Sequence, residues 1–189
     1  PNISVLPNGT FYECYSLKNL DIHNVTQLVN QPFYWCYSLK NLYLPNLKSI
    51  TITQTPSGST VFNGLNSLEN MYMPNLEVLD TQGYWFMGNT TYSLRTLVIP
   101  SSIQTFITGG LFANGNSSLL FLNLPNEWNF NLSITTAQSL TKDCLLNIIS
   151  KLKDLTGDTS KTLTLGTTNL AKLTAEEIAV ATAKNWILS

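Results

Sequence analysis

An α/β solenoid, built mostly of short parallel strands and finished by two helix-bearing C-terminal repeats, is the fold class this sequence predicts. Three observations carry it. The stretch Phe11-Tyr12-Glu13-Cys14-Tyr15-Ser16-Leu17-Lys18-Asn19-Leu20 returns as Phe33-Tyr34-Trp35-Cys36-Tyr37-Ser38-Leu39-Lys40-Asn41-Leu42, and self-similarity at a period of roughly 20–30 residues marks a stacked repeat array. Apolar residues at i, i+3 and i+5 recur in five places, as Leu17/Leu20/Ile22, Leu39/Leu42/Leu44, Leu68/Met71/Met73, Leu94/Leu97/Ile99 and Leu119/Leu122/Leu124. After Ala137 the apolar period changes from that of a strand to that of a helix.

Each part of a repeat has a physical reason. In Leu42-Tyr43-Leu44 successive side chains point to opposite faces of a strand, so the leucines turn inward and Tyr43 outward. So short a strand has no partner within its own repeat. It is stable only when stacked on its neighbours at roughly 4.8 Å, and stability becomes a sum of nearest-neighbour terms. Pro45, Pro74, Pro100 and Pro125 follow the strand cores; proline cannot donate a ladder hydrogen bond, so each ends the pairing and turns the chain. Phe11, Phe33, Phe62, Phe86 and Phe112 precede the cores and plug the far wall of the coil. The proline positions, counted as Pro1, His23, Pro45, Pro74, Pro100 and Pro125, are spaced by 22, 22, 29, 26 and 25 residues. An insertion around Gln54–Thr60 accounts for the longest spacing and is expected to project as a surface loop.

The resulting pattern, Phe-x-x-Cys-x-x-Leu-x-x-Leu-x-Leu-Pro, resembles the BspA-like leucine-rich repeats of bacterial surface proteins. The resemblance covers about residues 1–130 and is carried by Cys14, Cys36 and the four prolines. His23 departs from it at a proline position, and Gly64, Gly88 and Gly115 lie near where later repeats lack the cysteine. The resemblance implies an extracellular or cell-surface location and an interaction role. We divide the chain into residues 1–137, about five such repeats plus a partial N-terminal one, and residues 138–189, a helix-containing capping segment. Pro1-Asn2-Ile3-Ser4-Val5-Leu6 aligns with Pro45-Asn46-Leu47-Lys48-Ser49-Ile50, so the chain is expected to begin in mid-repeat.

The last strand core of the array is Leu132-Ser133-Ile134. Thr141 is then placed to cap a helix through its hydroxyl, with Asp143 favourable to the dipole. Leu145, Ile148, Ile149, Leu152 and Leu155 form one apolar stripe, and Gly157 is the expected left-handed stop. Thr162-Leu163-Thr164-Leu165 alternates as a strand. Thr174-Ala175-Glu176-Glu177 is a capping box, with Leu173 placed to staple against Ile178. That helix is expected to reach about Lys184 and to stop at a left-handed Asn185 before a last strand, Trp186-Ile187-Leu188. Lys142, Lys151, Lys153, Lys161, Lys172 and Lys184 are read as its solvated exterior.

Composition narrows the function. Charged residues make up 11% of the chain, against about 25% in an ordinary soluble domain. A net charge of −1 supplies no field to recruit nucleic acid or anionic lipid, and no run approaches the ~18–20 apolar residues that span a bilayer. His23 is the only histidine, so metal sites, Ser-His-Asp triads and Cys-His dyads all lack parts. No glycine-rich phosphate loop is present. Glu13, Asp21, Glu69, Glu77, Asp80 and Glu127 are thinly spread, without the paired carboxylates of a glycosidase. Asn8, Asn24, Asn89, Asn116 and Asn131 open Asn-x-Ser/Thr triplets, which this composition supplies by itself. Cys14 and Cys36 fall at equivalent points of adjacent coils, about 5 Å apart. Parallel in-register side chains fit the near-90° disulfide torsion poorly, so reduced buried thiols are expected. No enzyme, cofactor or metal is expected.

What remains is surface. The outward positions of the strand cores are Asn19/Asp21/His23, Asn41/Tyr43, Asn70/Tyr72, Thr96/Val98 and Phe121/Asn123. Asn41, Tyr43, Asn70 and Tyr72 are the candidate ligand-binding residues, with Asp21 beside them on the concave face. Aromatic rings beside amides suit a protein or peptide ligand, a host extracellular protein among them, and they also suit a glycan. A third reading is a structural spacer that displays a neighbouring domain, and tyrosines and asparagines also make a soluble, β-compatible face by themselves.

Overall fold

The computed structural model describes residues 3–53, 60–88, 93–113 and 118–189, so the expected loop at Gln54–Thr60 and Gly115 lie largely outside the described residues. In chain order the strands are β1 (Val5–Leu6), β2 (Gln27–Val29), β3 (Asn41–Tyr43), β4 (Ser49–Thr51), β5 (Thr60–Phe62), β6 (Asn70–Tyr72), β7 (Val78–Asp80), β8 (Trp85–Met87), β9 (Thr96–Val98), β10 (Thr105–Ile107), β11 (Gly110–Phe112), β12 (Phe121–Asn123) and β13 (Leu132–Ser133). Helix α1 (Lys142–Lys151), β14 (Lys161–Thr164), α2 (Gly166–Leu170), α3 (Ala175–Ala183) and β15 (Trp186–Leu188) follow.

A full coil, such as β4-β5-β6 or β7-β8-β9, makes three short strands, and each pairs in parallel with its counterpart in a neighbouring coil. Three walls result. The first is a five-stranded sheet in the order β1-β2-β4-β7-β10, and the second a three-stranded sheet, β11-β8-β5. The third, which carries the candidate residues, consists of two separate pairs, β3-β6 and β9-β12. Leu28, Ile50 and Leu79 lie in register in the first wall and are wholly buried. Phe33, Phe62, Phe86 and Phe112 are wholly buried as well, and the Phe62 and Phe86 rings meet edge to face at 5.3 Å. The walls share one hydrophobic core.

The structure corrects the sequence reading here. The Leu-x-Leu cores were expected to form the continuous sheet, but the longest sheet is built from the segments after the prolines. Each proline turns the chain, and a few residues later a new strand begins. Ser49-Ile50-Thr51, Val78-Leu79-Asp80 and Thr105-Phe106-Ile107 are β-prone stretches with one inward apolar residue flanked by outward ones. The first Leu-x-Leu copy, Leu20-Asp21-Ile22, forms no strand. Leu17, Leu20 and Ile22 are only partly buried. The asparagines after the prolines tie coil to coil: Asn46 Nδ2 donates to the His23 carbonyl and Asn75 Nδ2 to that of Pro45, each at 2.8 Å.

In the C-terminal part the stack continues as a three-stranded parallel sheet, β13-β14-β15. Thr141 caps α1 by accepting from the Cys144 amide, and Asp143 lies in the first turn. The helix is shorter than its apolar stripe. It ends at Lys151, and Leu152 leaves it to make a parallel bridge with Trp128. Gly157 is left-handed (φ +87°), but in the turn beyond the helix rather than at its end. Helix α2 was not foreseen; its Asn169 is wholly buried and donates to the carbonyls of Ala137 and Leu165. Helix α3 carries the full capping box on Thr174 and Glu177, and Asn185 follows it at φ +61°.

Two of the six lysines reach back to backbone carbonyls rather than into solvent. Lys172 Nζ donates to the carbonyls of Gln138 and Leu140 at 2.7 and 2.8 Å, and Lys184 Nζ to that of Leu152 at 2.8 Å. They close carbonyls of the preceding coil, and burial holds the Lys172 ammonium below its ordinary range.

Candidate functional site

The third wall brings four of the candidate residues together. Strands β3 and β6 pair with Asn41 opposite Asn70, Leu42 opposite Met71 and Tyr43 opposite Tyr72. The inward residues anchor the strands, so the outward ones stand as two in-register rungs. The tyrosine rings stack with centroids 5.0 Å apart and planes 3° from parallel, and the side chains remain 55% and 49% exposed. Below them Asn70 Nδ2 donates to Asn41 Oδ1 at 2.7 Å. Lys40 Nζ and Glu69 Oε1, 3.2 Å apart, bridge the same two coils.

Asp21 is not part of this group. It holds the place of Tyr43 one coil earlier, but no strand forms there to carry it onto the ladder. His23 Nδ1 lies 2.6 Å from Asp21 Oδ1, and that hydrogen bond holds the Asp21 carboxyl below the usual carboxylate range. Asp21 borders a separate hollow with Ile3, Phe11 and Val25.

On its other side the ladder stops. No strand pairing joins β6 to β9, although β6 and β9 are neighbours in the stack. Two openings lie along this seam. One, of about 260 Å³, is lined by Met71, Tyr72, Met73, Pro74, Val98 and Pro100, with Ser101 at its edge. The other, of about 470 Å³, is lined by Glu69, Asn70, Ser93, Arg95 and Thr96. Met71 is half-buried, whereas Leu42, Leu97 and Leu122 at the equivalent inward positions are buried. Sequence reasoning missed this seam. Its signal was methionine at both inward positions, 71 and 73, where the other cores carry leucine or isoleucine.

A second aromatic group was also missed, although the repeated Phe-Tyr-x-Cys-Tyr announces it. Tyr12 stacks on Tyr34 and Tyr15 on Tyr37, both at 5.3 Å, and Trp35 packs against Tyr34 at 4.8 Å. Partial burial and the Glu13 carboxylate push the Tyr15 hydroxyl up to about 12.

The repeat grammar is therefore visible in space as well as in sequence: a buried phenylalanine, an inward cysteine or leucine, a short strand and a turn at proline. A match to the BspA type leucine rich repeat region covers residues 4–135 in six copies. The chain belongs to the BspA-type leucine-rich repeats. No curated protein and no solved structure matches it.

Within this BspA-type array the cysteine position is a packing position. Cys36 is buried and Cys14 partly so, both thiols are free, and Leu65 fills the same place one coil later, wholly buried. Cys36 Sγ donates to the Phe11 carbonyl at 3.1 Å, and burial, with Cys14 beside it, pushes its thiol up to about 11. The residue before it is left-handed in all three coils: Glu13 at φ +57°, Trp35 at +62° and Gly64 at +77°. Among the described residues no three of His, Cys, Asp and Glu gather to hold a metal ion, and no helix is long and apolar enough to cross a membrane.

Proposed function

We propose that this BspA-type array is a non-catalytic interaction module that binds a protein or peptide through its third wall, with Asn41, Tyr43, Asn70 and Tyr72 at the contact. The observation that carries the reading is the stacked, exposed tyrosine pair. Two rings stacked on each other cover their inner faces and turn edges and hydroxyls outward. That arrangement suits hydrogen bonds and edge contacts with a polypeptide. A pyranose ring lies instead on an open aromatic face, and the stack covers two of the four, which reduces the platform a glycan would use.

The surrounding architecture fits this role. We read the stack as an α/β solenoid, with residues 1–137 as the repeat array and residues 138–189 as its cap. Asp21 is a flanking charge rather than part of the contact. The family supports an extracellular or cell-surface setting, where host extracellular proteins are the partners to screen.

The test is a screen of the wild-type protein and the Tyr43→Ala/Tyr72→Ala double variant against extracellular proteins and a glycan array. The expected result is a protein ligand bound by the wild type and lost by the double variant at an unchanged melting temperature. Binding that survives the double substitution, or binding to glycans alone, contradicts the proposal.

A further inference from the structure

The seam between β6 and β9 has a chemistry of its own. Its apolar end is walled by the free side of Tyr72 together with Met71, Met73, Pro74, Val98 and Pro100. Met71 is only half-buried there, in a position that is buried in the neighbouring rungs, and the thioether side chain adapts its shape to what it meets. Val98 is 45% exposed on the opposite bank. An opening of about 260 Å³ holds one large apolar side chain rather than a drug-sized ligand, whose sites run from about 300 Å³ upward.

The other end of the seam is polar and holds Arg95, the only arginine of the chain. Lys40, Lys48 and Lys142 are each paired with a carboxylate, of Glu69, Glu77 and Glu177. Among the described residues Arg95 has no carboxylate within ion-pair distance, although it is exposed and borders an opening of about 470 Å³. Glu69 borders the same opening, but its charge is already met by Lys40. A planar guanidinium in such a place offers a two-pronged contact to a carboxylate.

The two ends are in step. Asn70 and Thr96 line the polar opening together with Arg95, and Tyr72 and Val98, two residues further along β6 and β9, line the apolar one. On a strand that separation is roughly 6.5–7 Å, the spacing of side chains i and i+2 on one side of an extended peptide.

We propose that the β6–β9 seam recognises an extended polypeptide segment carrying an acidic side chain two residues from a large apolar one. The carboxylate meets Arg95, and the apolar side chain enters the notch beside Tyr72. This deepens the protein-binding reading of the third wall and rests on it, by naming which polypeptides the wall selects.

The experiment uses an array of end-blocked octapeptides in which Asp or Glu is placed two residues from Leu or Phe, in both orders. Control series replace the acid by Lys or the apolar residue by Ala. Wild-type protein should retain the acidic–apolar series and lose each control by about tenfold or more. Arg95→Glu should abolish the preference for acidic peptides or turn it toward the Lys series. Arg95→Gln should weaken it without inversion, which keeps the test open if the charge reversal fails to fold. Val98→Asp should cost the apolar selectivity while leaving the charge preference. Peptides bound without regard to charge, and equally by both Arg95 variants, overturn the seam proposal but leave the protein-binding reading intact. A wild type that retains no peptide series overturns the seam proposal, and the reading of the wall itself is then decided by the screen against intact proteins.

Discussion

Two walls of the same coils are built from the same kind of three-residue strand, yet one is a continuous sheet and the other is split. In the first wall β7 lies between β4 and β10, with Leu79 in register with both Ile50 and Phe106. In the third wall β6, from the preceding turn of the chain, is paired to β3 alone. The difference lies in the inward side chains. Leu28, Ile50 and Leu79 are branched aliphatics that fill the ladder completely, whereas the β6 core carries the flexible Met71 and Met73. The repeat spacings that end at Pro74 and Pro100, 29 and 26 residues, also depart from the 22-residue period. A closed wall can only hold the stack together. The split wall exposes ring, thioether and guanidinium groups on which a partner can act.

The largest expected effect separates the walls by stability. Leu79→Asp, in the closed first wall, and Leu42→Asp, buried on β3 of the third, each place a charge in the core and should cost roughly 3–5 kcal/mol. Met71→Asp, at the seam, reaches water and should cost only about 1–2 kcal/mol. Denaturant melts of the three variants decide it, and equal losses would close the seam. Next in size is Gly64→Ala in the coil corner. A Cβ there would come 2.7 Å from the Trp35 Cα at a left-handed φ of +77°, and strain of this kind costs of order 1–3 kcal/mol. A melting temperature unchanged by this substitution would show that the corner relaxes freely.

The effects then become smaller. Thr174→Ala removes the cap of α3 and should cost about 1 kcal/mol, read in the same melts. Tyr43→Asp, which faces solvent, should cost less than about 1 kcal/mol. Cys36 adds a pH signature. Its folded thiol titrates near 11, against about 8.5 in an unfolded chain, so the neutral form is favoured by folding. The associated stability is complete below about pH 8.5 and is lost as pH rises toward 11. Denaturant midpoints at pH 8 and pH 10.5 should therefore fall further apart in the wild type than in Cys36→Ala. Equal slopes would mean that the thiol is not buried as described.

Much of this was legible in the sequence because stacked repeats print their register directly. The in-register Tyr43 and Tyr72, the buried phenylalanines, the Thr174 capping box and the left-handed Asn185 all follow from local spacing. The post-proline sheet is not legible because proline reads as the end of pairing, when it only turns a corner before Ser49-Ile50-Thr51 and its equivalents. Lys172 and Lys184 were misplaced because a lysine that caps a neighbouring coil looks the same in sequence as one in water. Asp21 was set beside the tyrosines by repeat alignment alone, and without a strand at Leu20–Ile22 the alignment does not carry it there. The seam could not be read from spacing. It depends on whether two rungs meet, which Met71 and Met73 hint at without deciding.

Native-state amide hydrogen exchange reads the seam most directly, because it compares Met71 with Leu79 a few residues further along the chain. Leu79 lies between two paired strands, and Met71 has a paired strand on one side only. With the wall open between β6 and β9, the Met71 amide should exchange orders of magnitude faster than that of Leu79 under conditions where the fold stays intact. Equal protection of the two amides would mean that β6 and β9 are joined in solution, and the seam with its proposed ligand would be lost.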